Sequence, residues 1–289
     1  MGTSKGYGGP PTGLVPSWVD EPTPGVPPVP PLTVSPLGGA PKPTLPVQPA
    51  PGPSKPLPQP DLPSAGSLSI ARNNFTRFAR NGSPRSLGRA LSSYVRAGTG
   101  GAGRAARRMG ASRATGARLL GIIQDVQRLG APSALLKLNL PGLAGQPASD
   151  VFLKLLEFVC PPGGAIDEAI ARQAMLESIG DLAEAGVGDF DTMTSDQLQE
   201  FFLDFIARSI EGRVMADLGA HSVTIPDDVA VVENAQQQLH DFVTGCIHGE
   251  LSQKLSDMVP LKDSDLGRAI DQIYEAAFAL VAAAGEAAK

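Results

Sequence analysis

Apolar residues in the second half of the chain recur three and four positions apart, the spacing that lines one face of an α-helix. Val151, Phe152, Leu155, Leu156 and Val159 form one such stripe, which Pro161-Pro162-Gly163-Gly164 ends. Ile166, Ile170, Ile179 and Leu182 mark a second helix, closed by Gly186 and Gly188. Thr194 and Gln197 have the spacing of a capping box, in which each side chain satisfies the other's backbone N–H. They open a third stripe of Leu198, Phe201, Phe202, Phe205, Ile206 and Ile210. A fourth runs through Leu239, Phe242, Val243, Cys246, Ile247, Leu251 and Leu255, and a fifth through Leu266, Ile270, Ile273, Tyr274, Ala277, Phe278 and Val281. The one place where a short extended piece is expected is His221 to Ile225.

Upstream the stripes are shorter. Ser67 or Ser69 caps a helix with Ile70, Phe75 and Phe78 on one side and Arg72, Arg77 and Arg80 on the other, ending at Asn81-Gly82. Ser83-Pro84 is an N-cap and first-turn pair for a helix to about Ala97. Gly98-Thr99-Gly100-Gly101-Ala102-Gly103 reads as a flexible joint. A basic helix then begins near Arg104 and restarts at Ser112, with Leu119, Leu120, Ile122, Ile123 and Val126 apolar. The fold class predicted is all-α, a helical bundle preceded by a long disordered arm.

The arm follows from composition. Twenty of the 28 prolines precede Ser67, too densely for a packed core to form. Charge divides the rest. Residues 67–128 carry twelve arginines, no lysine and one acid, Asp125 (+11), whereas nine basic residues face 25 acids from Leu129 onward (−16). The chain thus divides into a Pro-rich arm (1–66), an arginine-rich helical segment (67–130) and an acidic helical bundle (131–289). Oppositely charged halves dock on each other or on two different partners.

Several chemistries are disfavoured. The glycines at 98, 100 and 103 match G-x-G-x-x-G in letters, but a helix precedes them and no parallel sheet is predicted. No phosphate-binding loop is present. His221, His240 and His248 lack the adjacent-turn spacing of a helical metal pair, and Cys160 and Cys246 read as small buried thiols. No catalytic residue, cofactor or metal is expected. Nor is a membrane partner: no apolar run approaches the roughly 18 residues of a span. The opening lacks a secretory core, and Gly6 stands where myristoylation wants Ser or Thr. The expected location is cytoplasmic.

Two features keep a functional reading. Arginine makes forked contacts with phosphates and carboxylates. Arg96, Arg104, Arg107, Arg108 and Arg113 are therefore candidates for a contact patch, on a protein, on nucleic acid or merely as a solvated face. Aromatic interleaving is thin, only Phe75, Phe78 and Tyr94, so stacking on a single strand has little support. The second feature is the opening Gly2-Thr3-Ser4-Lys5-Gly6-Tyr7. Removal of Met1 leaves Gly2 with an α-amine of pKa about 8, against about 10.4 for lysine, and hence partly nucleophilic at cellular pH. A polyproline tether rising about 3.1 Å per residue carries such a terminus far from its domain.

The opening Met1-Gly2-Thr3-Ser4-Lys5-Gly6-Tyr7, the Pro-rich spacer and the Gly/Arg stretch from Ser92 to Gly110 resemble the QatB family, the B components of bacterial four-gene Qat anti-phage defence systems. The resemblance implies a defence role beside an ATPase, a QueC-like enzyme (related to those that make 7-cyano-7-deazaguanine) and a TatD-like nuclease. It implies the QueC-like enzyme as first partner and the ATPase as a possible second. Enzymes of the QueC type activate a carboxylate as an adenylate before attack by an amine, and Gly2 is the candidate amine. The expectation is a non-enzymatic adaptor and N-terminal modification substrate, with a nucleic-acid-binding sensor as the alternative.

Overall fold

In a computed structural model of the 289-residue chain, the structure describes residues 68–160, 165–219, 229–256 and 261–288. The arm, the Pro161–Gly164 stop and the His221–Ile225 segment lie outside the described residues. The first helix, α1 (Ser69–Asn81), stops at Gly82, whose left-handed φ of 61° lets its N–H reach the Phe78 carbonyl at 2.8 Å. Pro84 then opens α2 (Pro84–Ser93), where its missing N–H breaks no bond.

The α2 helix does not run to Ala97 as one α-helix. From Tyr94 to Gly98 it widens into a π-helical turn, and the Thr99 N–H reaches back five residues to the Tyr94 carbonyl at 2.8 Å. Gly100 and Gly101 continue with φ of 79° and 111°, values that side-chain-bearing residues rarely adopt. The Thr99 hydroxyl donates to the Val95 carbonyl at 2.8 Å. The glycine joint is thus a hydrogen-bonded turn that reverses the chain into α3 (Ala102–Arg107) and α4 (Gly110–Leu129).

A short α5 (Ala131–Lys137) and then α6 (Ala148–Val159) and α7 (Ile166–Glu184) follow. The long helices α8 (Ser195–Gly219), α9 (Val229–Ser256) and α10 (Asp263–Ala287) complete the fold. The capping box forms as read: Gln197 Oε1 accepts the Thr194 N–H at 2.9 Å, and Thr194 Oγ1 accepts the Gln197 N–H at 3.2 Å. No strand occurs among the described residues, which have an isolated antiparallel bridge between Pro147 and Asp189. The fold is all-α.

Packing centres on α4, which lies against α7, α8 and α10, while α10 also packs on α2, α3 and α9. One continuous core runs from Phe75 and Phe78 through Leu119, Phe152 and Phe205 to Tyr274 and Phe278. The helices of 67–130 therefore share their core with those of 131–289. At the α2–α10 crossing, Gly88 and Gly285 meet backbone to backbone: a Cβ on Gly285 would lie 2.4 Å from the Gly88 carbonyl oxygen. Two residues of the expected stripes are left largely exposed, Ile70 at 58% and Ile166 at 71%: Ile70 lies on the outer side of α1 between the buried Leu68 and Ala71, and Ile166 is the first residue of α7. Cys160 and Cys246 are unpaired and at least half-buried; burial pushes both thiols up, Cys246 to about 11.

Candidate functional site

The arginine segment meets the acidic helices at Asp217, on the last turn of α8. Four groups from four parts of the chain converge there. The Tyr94 hydroxyl of the π-turn donates to its carboxylate at 2.9 Å, and Arg108 Nη2, just past α3, does so at 3.0 Å. Arg213 Nε, one turn earlier on α8, lies 3.3 Å from the same carboxylate, and Arg72 Nη2 of α1 donates to the Asp217 main-chain oxygen at 3.0 Å. Arg213 also pairs with Asp167 of α7.

Electrostatics explain why the cluster holds. Burial, and next to it the negative charge of Asp217, pushes the Tyr94 hydroxyl far above its ordinary range, so it remains a proton donor. Burial opposes the Arg213 charge, but Asp217 and Asp167 together outweigh it and leave the guanidinium more firmly protonated than usual. The Tyr94 hydroxyl and the guanidiniums of Arg108 and Arg213 thus hold the Asp217 carboxylate in place.

The five arginines of the expected contact patch separate into two sets. Arg108 is spent on Asp217, Arg113 Nε holds Asp271 of α10 at 2.6 Å, and Arg96 holds Glu286 of α10 at 2.5 Å. Arg104 and Arg107, three residues apart on α3 and so on one face, are exposed and make no ion pair among the described residues. Beyond the patch, Arg118 donates to the Val159 carbonyl at 3.0 Å and Arg128 pairs with Asp125 at 2.9 Å. Gly2, Thr3, Ser4, Lys5, Gly6 and Tyr7 lie outside the described residues.

Asp217 and Tyr94 did not stand out in the sequence. The available signal was the Arg213–Asp217 spacing of four, which puts opposite charges on one helical face. A tyrosine alone among arginines carried no such mark. Among the described residues, no group of His, Cys, Asp and Glu is placed to hold a metal, and no helix is long and apolar enough to cross a membrane.

One titrating contact ties α9 to α8. His240 Nδ1 lies 3.2 Å from Glu211 Oε2, and its Nε2 4.0 Å from Asp204 Oδ1. The hydrogen bond to Glu211 raises the imidazole above its ordinary value, against partial burial and the nearby Arg208 charge. A raised folded-state value means the contact stabilises fully below about pH 6.5 and is lost as pH climbs through the folded value. Urea unfolding should therefore show about 1 kcal/mol less stability at pH 8.5 than at pH 6 from this group. His240→Gln should remove that part of the pH dependence; an unchanged profile would show that the pair contributes nothing.

Neither a curated protein nor a solved structure matches the chain. A family model described as "Qat anti-phage system associated protein QatB" matches residues 100–281. The match begins inside the glycine turn and takes in Arg104, Arg107, Arg108, Arg113, Arg213 and Asp217, but not Arg72 and Tyr94 of the cluster, and runs into α10. It covers well over half of the 289 residues. The chain belongs to the QatB family and is a component of the Qat anti-phage system, whose other components are its partners.

Proposed function

We propose that this QatB protein is a non-enzymatic adaptor of the cytoplasm, whose arm is recognised and modified at Gly2 by the system's QueC-like enzyme. The observation that carries the reading is a specific opening, Gly2 to Tyr7, set on a Pro-rich tether and joined to a folded QatB-family body. The chemistry is acyl transfer. The Gly2 amine attacks an adenylated carboxylate, an amide bond forms, the acyl–phosphate bond breaks with AMP as leaving group, and the amine gives up a proton. The exposed pair Arg104 and Arg107 offers the folded body a second contact, with the system's ATPase as its candidate partner.

The test is the intact mass of the protein purified alone and after co-expression with the QueC-like enzyme. The expected result is an added mass that maps to Gly2 and is missing from Gly2→Pro, which has no primary amine, together with loss of phage protection by that variant. Full protection by Gly2→Pro would sink the reading.

A second reading, nucleic-acid binding, is favoured by the exposure of Arg77, Arg80, Arg85, Arg104 and Arg107, none of which makes an ion pair among the described residues. Its affinity would fall steeply with salt. Gel shifts across a salt series, with Arg104→Gln/Arg107→Gln as the control, separate it from the adaptor reading.

A further inference from the structure

The cleft where α7, α8 and α9 meet contains three buried polar atoms without a hydrogen-bond partner: Ser178 Oγ, Thr244 Oγ1 and His248 Nε2. Ser178 is only 1% exposed. Serine and threonine within helices commonly turn their hydroxyls back to a carbonyl one turn earlier; these two make no such bond. A buried polar atom without a partner is destabilising, so three in one cleft call for an explanation. Thr244 and His248 are four apart on α9 and face the cleft together, with Ser178 contributed by α7.

The surroundings indicate what would satisfy them. Leu182, Val187 and Phe201 supply apolar wall, and Glu200, Asp181 and Asp204 supply carboxylates. Arg208 is already paired with Asp181 and Asp204 of this rim and with Glu177, so one cation faces several carboxylates, and Glu200 makes no ion pair among the described residues. An anion is disfavoured there. A donor-rich cation suits both the carboxylates and the orphaned acceptors, and a short alkyl chain suits the wall.

We infer that this cleft is a binding site for a small organic cation, an ammonium or guanidinium on a short alkyl chain. The cation's N–H groups bond Ser178 Oγ, Thr244 Oγ1, His248 Nε2 and Glu200, while its methylenes lie on Phe201 and Leu182. The inference stands apart from the adaptor reading, since it involves neither the arm nor the arginine segment.

Calorimetric titration of the full chain with agmatine tests it, with n-butylurea as an uncharged control that keeps the planar head and the four-carbon chain but lacks both charges. Saturable one-to-one binding of agmatine at about 1 mM or tighter is expected, with none for butylurea. Ser178→Ala should weaken agmatine about tenfold without lowering the melting temperature, because its hydroxyl has no partner to lose. Glu200→Gln, an exposed position, should weaken it similarly. No saturable agmatine binding, equal binding of butylurea, or wild-type affinity in both variants would overturn the site.

Discussion

Asp217→Ala should destabilise the protein by about 3 kcal/mol, the scale set by removing one partner from a buried charge cluster. The substitution leaves the Arg108 side chain, 15% exposed, without its counter-ion and the Tyr94 hydroxyl, buried, without its acceptor. Arg213 keeps Asp167 and Arg72 keeps its bond to the main chain, so the loss falls mainly on the π-turn and the end of α3. Urea unfolding of three variants resolves the contributions. Asp217→Asn, which retains an acceptor for Tyr94 but no charge, should lie between wild type and Asp217→Ala. Tyr94→Phe should cost about 1 kcal/mol in the wild type and close to nothing once Asp217 is gone. A loss below about 0.5 kcal/mol for Asp217→Ala would mean that the cluster behaves like a solvated surface pair.

The second large effect concerns the α2–α10 crossing. Gly285→Ala should destabilise by about 2 kcal/mol, although alanine is the better helix former by about 1 kcal/mol. The sign is set by what the new methyl meets. Its nearest neighbours would be the Gly88 carbonyl oxygen at 2.4 Å, the Gly88 carbonyl carbon at 3.2 Å and the Ser92 Cβ at 3.2 Å. A backbone carbonyl has no rotamer to retreat into, so the helices must separate. Gly267 in the same helix is the control: it is exposed and a Cβ there meets nothing within 4 Å. Gly267→Ala should therefore stabilise by up to about 1 kcal/mol. Melting temperatures that rose for both substitutions would show that the crossing is looser than the close approach implies.

Much of this fold was readable because its long helices obey one rule throughout. The apolar stripes of α4, α6, α8 and α10 are buried almost position for position, and Thr194–Gln197 caps α8 as its spacing predicts. The π-turn at Tyr94 was not readable, since one extra residue within a helical turn leaves no mark on a pattern dominated by small residues. Ile70 and Ile166 were misplaced because which side of a helix end is covered depends on its neighbours: Leu68 and Ala71, on either side of Ile70, are buried while Ile70 is not. The charge imbalance gave the attraction between the halves but not its partition. Which arginines pair internally depends on long-range placement: Arg108 and Asp217 are 109 residues apart, Arg113 and Asp271 158 apart. Of the orphaned atoms, Thr244 Oγ1 and His248 Nε2 share a face of α9 but Ser178 Oγ comes from α7, and no local spacing connects the two helices.

The meeting of Gly88 with Gly285 also sets a schedule. Nearly two hundred residues separate the two helices that close this crossing, and at about 5–20 residues per second a ribosome takes roughly 10–40 s to bridge them. Throughout that interval the face of α2 at Gly88 and Ser92 has no α10 to cover it. Newly made chains must therefore hold that face open until α10 has been made, and α10 is the latch that ends its exposure to chaperones and proteases.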